Sequence, residues 1–206
     1  MLADGIHFTR FVLMIRSFFA LELSPDALKV VETAQMHLAQ FEGVYRPIGI
    51  EQLHLTLAFL GENDEETTAK LGDLAAGLEF PQLALRIQGW VPLPKPDVPR
   101  VLAVNIVDES GELTRFQRRL QDRVFQLAAH KETRPFVPHI TFARLKKEVP
   151  ASAKVVKKGL AAMPSLRSEV WTPGEFLHLA SDLSGDSARY EVLRRYPGTG
   201  EVPGAS

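Results

Sequence analysis

The chain has 206 residues, 24 Lys+Arg against 25 Asp+Glu, and 45% hydrophobic residues, the make-up of a globular protein of one domain or two tightly joined lobes. It has no cysteine, which excludes a disulfide framework, an iron–sulfur cluster, a thiolate zinc site and a cysteine nucleophile, and fits a cytoplasmic location. A formal net charge of −1 argues against a protein that coats long nucleic acid by counterion release, but not against one that handles a short or terminal piece of RNA.

Residues 1–13 read as an N-terminal extension. The apolar run over residues 11–23 is broken by Arg16 and closed by Glu22, so it falls short of the ~20 apolar residues of a membrane span and lacks the form of a secretory signal. It predicts a buried first strand over 15–23. Ser24-Pro25-Asp26 then supplies an N-cap, a first-turn proline and a dipole-compatible acid. Leu28, Val31, Ala34, Leu38 and Phe41 recur at helical spacing, and Gly43 ends that helix. A short strand near Tyr45 and a second over 53–60 are expected next, with residues 61–64 capping a helix that runs to about Leu78. Pro81 opens a strand to Trp90, and the four prolines within 92–99 make a stiff hairpin connection to a strand over 100–107. Leu113, Phe116, Leu120, Val124 and Leu127 define the most regular amphipathic helix. A strand over 136–145, a helix over 151–163 and closing strands near Val170, over 176–183 and over 190–195 complete the chain before a Gly- and Pro-rich tail at 197–206. Strands and helices alternate without a strict βαβ rhythm, which predicts an α+β fold with largely antiparallel sheets.

The chemistry is carried by two matching octets, His54-Leu55-Thr56-Leu57-Ala58-Phe59-Leu60-Gly61 and His139-Ile140-Thr141-Phe142-Ala143-Arg144-Leu145-Lys146. Their separation leaves each copy room for its own strands and helix, which predicts two pseudo-symmetric lobes with an active groove between them. Strand alternation puts His54, Thr56 and Ala58 on one face and Leu55, Leu57 and Phe59 on the other, and treats the second octet alike. Two imidazoles and two hydroxyls can then surround a phosphate. With a reference pKa of about 6.5, one histidine can be charged and the other neutral, as concerted acid–base catalysis requires. With six histidines in the chain, a single His-x-Thr arises by chance about 0.3 times, so one copy means little and the paired octets carry the argument. A third copy, His7-Phe8-Thr9, lacks the Ala and Leu that follow the others and reads as accidental. His37, His130 and His178 read as structural. No glycine-rich nucleotide loop and no metal-ligand spacing occurs. Two basic clusters, Arg115/Arg118/Arg119/Arg123 and Lys146/Lys147/Lys154/Lys157/Lys158, read either as solvated faces or as an RNA track.

The sequence resembles the two-histidine phosphoesterases with paired His-x-Thr-x motifs, most of all the RNA 2′,3′-cyclic phosphodiesterases also described as 2′-5′ RNA ligases. The resemblance rests on the two octets, on Arg16-Ser17-Phe18-Phe19-Ala20-Leu21, on Pro99-Arg100-Val101-Leu102, on the Arg134-Pro135-Phe136-Val137-Pro138 lead-in to the second motif and on the closing 181–190 stretch. It implies one bilobal domain over 14–196 that hydrolyses RNA 2′,3′-cyclic phosphate ends to a 2′-phosphate. His54 would be the proton donor, His139 the proton acceptor, and Thr56 and Thr141 the phosphate holders. It also implies nucleotide contacts from Phe59 and Arg144, although each sits five residues past its histidine and, in an ideal strand, faces the wrong way unless a bulge intervenes. No cofactor or metal is expected, the substrates are RNA ends or cyclic nucleotides, there is no membrane partner, and the protein is expected to be a monomer. Ligation of 2′-5′ RNA, hydrolysis of another cyclic or 2′-5′ phosphodiester, and a noncatalytic RNA- or nucleotide-binding module are the alternatives.

Overall fold

Among the described residues, eight strands and four α-helices follow one another as β1 (Met14–Leu21), α1 (Pro25–Ala39), β2 (Tyr45–Pro47), β3 (Leu55–Asp64), α2 (Glu65–Ala76), β4 (Leu85–Leu93), β5 (Val101–Asp108), α3 (Glu112–Val124), β6 (His139–Leu145), α4 (Lys154–Ala161), β7 (Glu175–Asp182) and β8 (Arg189–Pro197). This computed structural model describes residues 13–41, 43–95, 99–150, 154–185 and 187–198. The expected N-terminal extension and tail, with His7-Phe8-Thr9, lie almost wholly outside the described residues.

The strands form two four-stranded sheets, ordered β3-β1-β7-β8 and β2-β6-β5-β4, and every strand pair is antiparallel. The fold is α+β with two lobes, and the lobes are related by more than the repeated octets. Each motif strand pairs with the strand that opens its half of the chain, Ala20 facing Thr56 in the first lobe and Ala103 facing Thr141 in the second. Each opening strand is followed by a helix that packs on the other lobe: α1 lies against β6 and β2, and α3 against β3. The exchange binds the two halves into one core, which runs from Phe19, Leu55 and Phe116 to Val104, Ile140 and Phe142.

Local sequence explains most of these elements. Ser24 accepts the Ala27 N–H at 3.2 Å and starts α1, and Asp64 accepts the Thr67 N–H at 2.7 Å and starts α2, each satisfying an amide that helix geometry leaves free. The α3 stripe is buried at Leu113, Phe116, Leu120 and Val124 but not at Leu127, which is 46% exposed because the helix ends at Val124.

Several boundaries differ from the expectation. The second long strand does not stop at Leu60: β3 continues to Asp64, pairing residues 61–64 with residues 14–17 of β1. Gly61 permits this with φ +77°, and a Cβ there would meet His130 Cβ at 2.9 Å, so only glycine fits. Strand β4 runs past Trp90 and takes in Pro92 and Leu93, opposite Leu102 and Val101; proline is tolerated there because β4 is a sheet edge. Strand β6 starts at His139 rather than at 136. The strand expected near Val170 reduces to isolated bridges at Arg167 and Trp171.

Candidate active site

A cavity of about 660 Å³ opens between the two sheets, and His54, Thr56, Phe59, His139, Thr141 and Arg144 all line it. All six residues singled out from the sequence therefore meet in one groove. Both imidazoles are set in the same way. His54 Nδ1 lies 2.7 Å from the carbonyl oxygen of Gln52 and His139 Nδ1 lies 2.7 Å from that of Val137. A carbonyl can only accept, so each ring carries its proton on Nδ1 and, when neutral, turns a basic Nε2 toward the groove.

The two histidines differ in their surroundings. Phe18 packs on His54 at 4.7 Å between ring centroids, and Tyr190 meets it edge-on at 5.2 Å. Gln52, buried just before this histidine, donates to the Ala188 carbonyl at 2.6 Å and so ties the β7–β8 connection to the His54 wall. Burial pushes the His54 imidazolium down to about 4; the Gln52 carbonyl opposes this, and the charge of His139 adds to it. No comparable aromatic enclosure is formed around His139 among the described residues.

Strand parity fails where the bulge was required. On β3, Thr56 pairs with Ala20 and Ala58 with Phe19, leaving Leu57 without an opposite residue. On β6, Thr141 pairs with Ala103 and Ala143 with Leu102, leaving Phe142 without one. Both bulges fall three residues past the histidine. Each turns two consecutive side chains, Leu57 with Ala58 and Phe142 with Ala143, into the core, so the alanines do not share the face of the histidines as ideal alternation had placed them. The extra residue restores Phe59 and Arg144 to the groove side. Phe59 is further held by the Arg16 guanidinium, 4.4 Å from its ring centroid, and by the edge of His130 at 5.2 Å.

Arg16, Phe18, Arg46 and Tyr190 also line the groove. Arg16 and Tyr190 belong to segments that carried the family resemblance, whereas nothing in the sequence marked Arg46, which reaches the site because β2 pairs Arg46 with Arg144. Among the described residues no ion pair engages Arg16, Arg46 or Arg144, so three guanidinium groups are available to an anion. The arginine cluster on α3 and the lysine cluster after β6 do not line the groove. His37 and His178 likewise lie away from it, and His130 touches it only through Phe59. No helix among the described residues is long and apolar enough to cross a membrane.

A family model described as the 2′-5′ RNA ligase superfamily matches residues 23–177. An RNA 2′,3′-cyclic phosphodiesterase of Thermus thermophilus is 31% identical over 196 residues, covering 91% of this chain and 92% of that protein. One from Aeropyrum pernix is 32% identical over 110 residues, 52% of this chain and 62% of that protein. The crystal structure of E. coli LigT complexed with 3′-AMP superposes with a TM-score of 0.72 at 25% identity, covering 91% of this chain and all of that one.

Proposed function

This chain belongs to the 2′-5′ RNA ligase superfamily, and on that premise we propose that its groove hydrolyses the 2′,3′-cyclic phosphate ends of RNA to a 2′-phosphate. The reading rests above all on two histidines from separate lobes presenting Nε2 to one cavity, each with a threonine two residues on. His139 Nε2 takes a proton from a water molecule whose oxygen attacks phosphorus. The P–O3′ bond breaks, and His54 Nε2 gives its proton to the departing 3′ oxygen. Exchange with solvent returns both imidazoles to their starting states. Thr56 and Thr141 donate to the nonbridging oxygens without adding charge, and Arg144 with Arg16 balances the phosphate. Phe59 offers a face to the terminal base. The groove is complete within one chain, which fits a monomer, and a substrate of RNA ends fits work in the cytoplasm.

The asymmetry of the walls supports this division of roles: the base that activates water is the less enclosed histidine, and the acid sits against Phe18 and Tyr190. His54 must then acquire its proton as substrate binds, because burial holds its pKa at about 4. A phosphate anion beside the ring reverses that effect. Accordingly, the His54 resonance in an NMR titration should have a midpoint near 4 in the free protein and rise by about one unit or more with a nucleoside 2′-monophosphate bound. A midpoint that ignores the nucleotide would remove His54 from the phosphate site.

Every step uses imidazole, hydroxyl or guanidinium groups, so turnover of a 2′,3′-cyclic mononucleotide should persist in excess EDTA. Loss in EDTA, restored by a divalent cation, would replace the two-imidazole mechanism with a metal-assisted one.

A further inference from the structure

The two bulges carry a matched feature that the reaction itself does not use. In each, the carbonyl of the extra residue is held by a glutamine from the helix that crosses over from the other half of the chain. Gln117 on α3 is 3% exposed and its Nε2 donates to the Leu57 carbonyl at 3.0 Å. Gln35 on α1 donates through Nε2 to the Phe142 carbonyl at 2.9 Å and to the Ile48 carbonyl at 2.7 Å. Strand β3 is the edge of its sheet, so no strand lies beyond it to supply a donor and Gln117 takes that place. In the other lobe the Ile48 N–H also reaches the Phe142 carbonyl, at 3.0 Å, so Gln35 is one donor of two.

We propose that Gln117 and Gln35 are positioning residues of the site: each holds a bulge open, and the bulge keeps Phe59 or Arg144 in the groove. The inference rests on the reading that Phe59 and Arg144 contact the substrate. Its physical basis is the cost of an unpaired buried carbonyl. With the glutamine present, the carbonyl of the extra residue has a donor. Without it, a regular ladder competes with the bulge, and in a regular ladder the residue five past the histidine faces away from the groove. The histidine and threonine lie before the bulge and stay where they are, so the glutamines act on nucleotide binding more than on the chemical step.

The test is a pair of double-mutant cycles with a 2′,3′-cyclic mononucleotide, using methionine as a near-isosteric replacement that cannot donate. Gln117→Met is expected to raise KM about tenfold with kcat within about twofold, and Gln35→Met to raise it less, about threefold, because Ile48 remains as donor. Gln117→Met should be non-additive with Phe59→Ala and additive with Arg144→Ala, and Gln35→Met the reverse. A general loss of packing would lower stability and add equally to both partners, so additivity in every pairing overturns the proposal. If Gln117→Met does not fold, the Gln35→Met cycle, with its second donor intact, decides by the same criterion. Normal KM values for Phe59→Ala and Arg144→Ala would instead sink the substrate-contact reading, and the proposal with it. A raised KM in those two variants beside normal kinetics in both glutamine variants would sink the positioning role alone.

Discussion

Replacing either His54 or His139 by alanine is expected to lower kcat on a 2′,3′-cyclic mononucleotide by about 10²- to 10⁴-fold, the largest effect any side chain of this protein should have. Each ring is anchored through Nδ1 and lines the same cavity, so in the proposed mechanism alanine removes the proton carrier and leaves in place the threonine and arginine assigned to the phosphate. KM should therefore change far less than kcat. Acid and base serve one concerted step, and the double variant should be barely worse than the more damaging single one. His7→Ala is the control, and full activity is expected of it. Steady-state kinetics on the wild type and these four variants are sufficient. Single-digit losses for His54→Ala or His139→Ala, with circular dichroism unchanged, would leave a binding module as the better account.

The second large effect concerns stability in acid. His178 is 2% exposed, stacks on Phe19 at 4.5 Å between centroids, and its Nε2 has no hydrogen-bond partner. Burial pushes its pKa down to about 4, and the Arg194 charge acts in the same direction. The folded protein thus holds this ring neutral while the unfolded chain protonates near 6.5. With the folded value depressed, the contribution is complete above pH 6.5 and is lost as pH falls from there toward 4. The loss amounts to about 3 kcal/mol at most. His54, also held at about 4 by burial, adds a loss of the same sign, which persists in a His178 variant. The N-cap Asp64 and the Arg134-paired Glu132 are held below the ordinary carboxylate values, so their contributions fade from about pH 5 downward and overlap the lower end of this window, equally in wild type and variant. Urea unfolding at pH 7.5, 5.5 and 4.5 should show the decline in the wild type and a visibly flatter one in His178→Leu. Parallel declines in the two proteins would mean that His178 is not buried in its neutral form.

Much of the molecule was legible from local chemistry. The caps at Ser24 and Asp64 follow from their hydroxyl and carboxylate, and the α3 stripe follows from its spacing. One boundary moved for a tertiary reason, β3 lengthening because β1 was there to pair with it, and Leu127 is exposed because α3 ends at Val124.

The groups proposed to react are legible in the sequence alone. Two octets with histidine and threonine at matching positions put an ionisable ring and a hydroxyl two residues apart, and such a pair shares a strand face wherever the strand lies. Tertiary structure decided the rest of the site. Whether Phe59 and Arg144 face the groove depends on a one-residue slip between strands far apart in sequence, which alternation along a single strand cannot reveal. The same holds for Arg46, brought in by pairing with β6, and for Gln35 and Gln117, whose partners lie 107 and 60 residues away. Hydrogen bonds and charges at such separations are created by packing, and only the folded chain contains them.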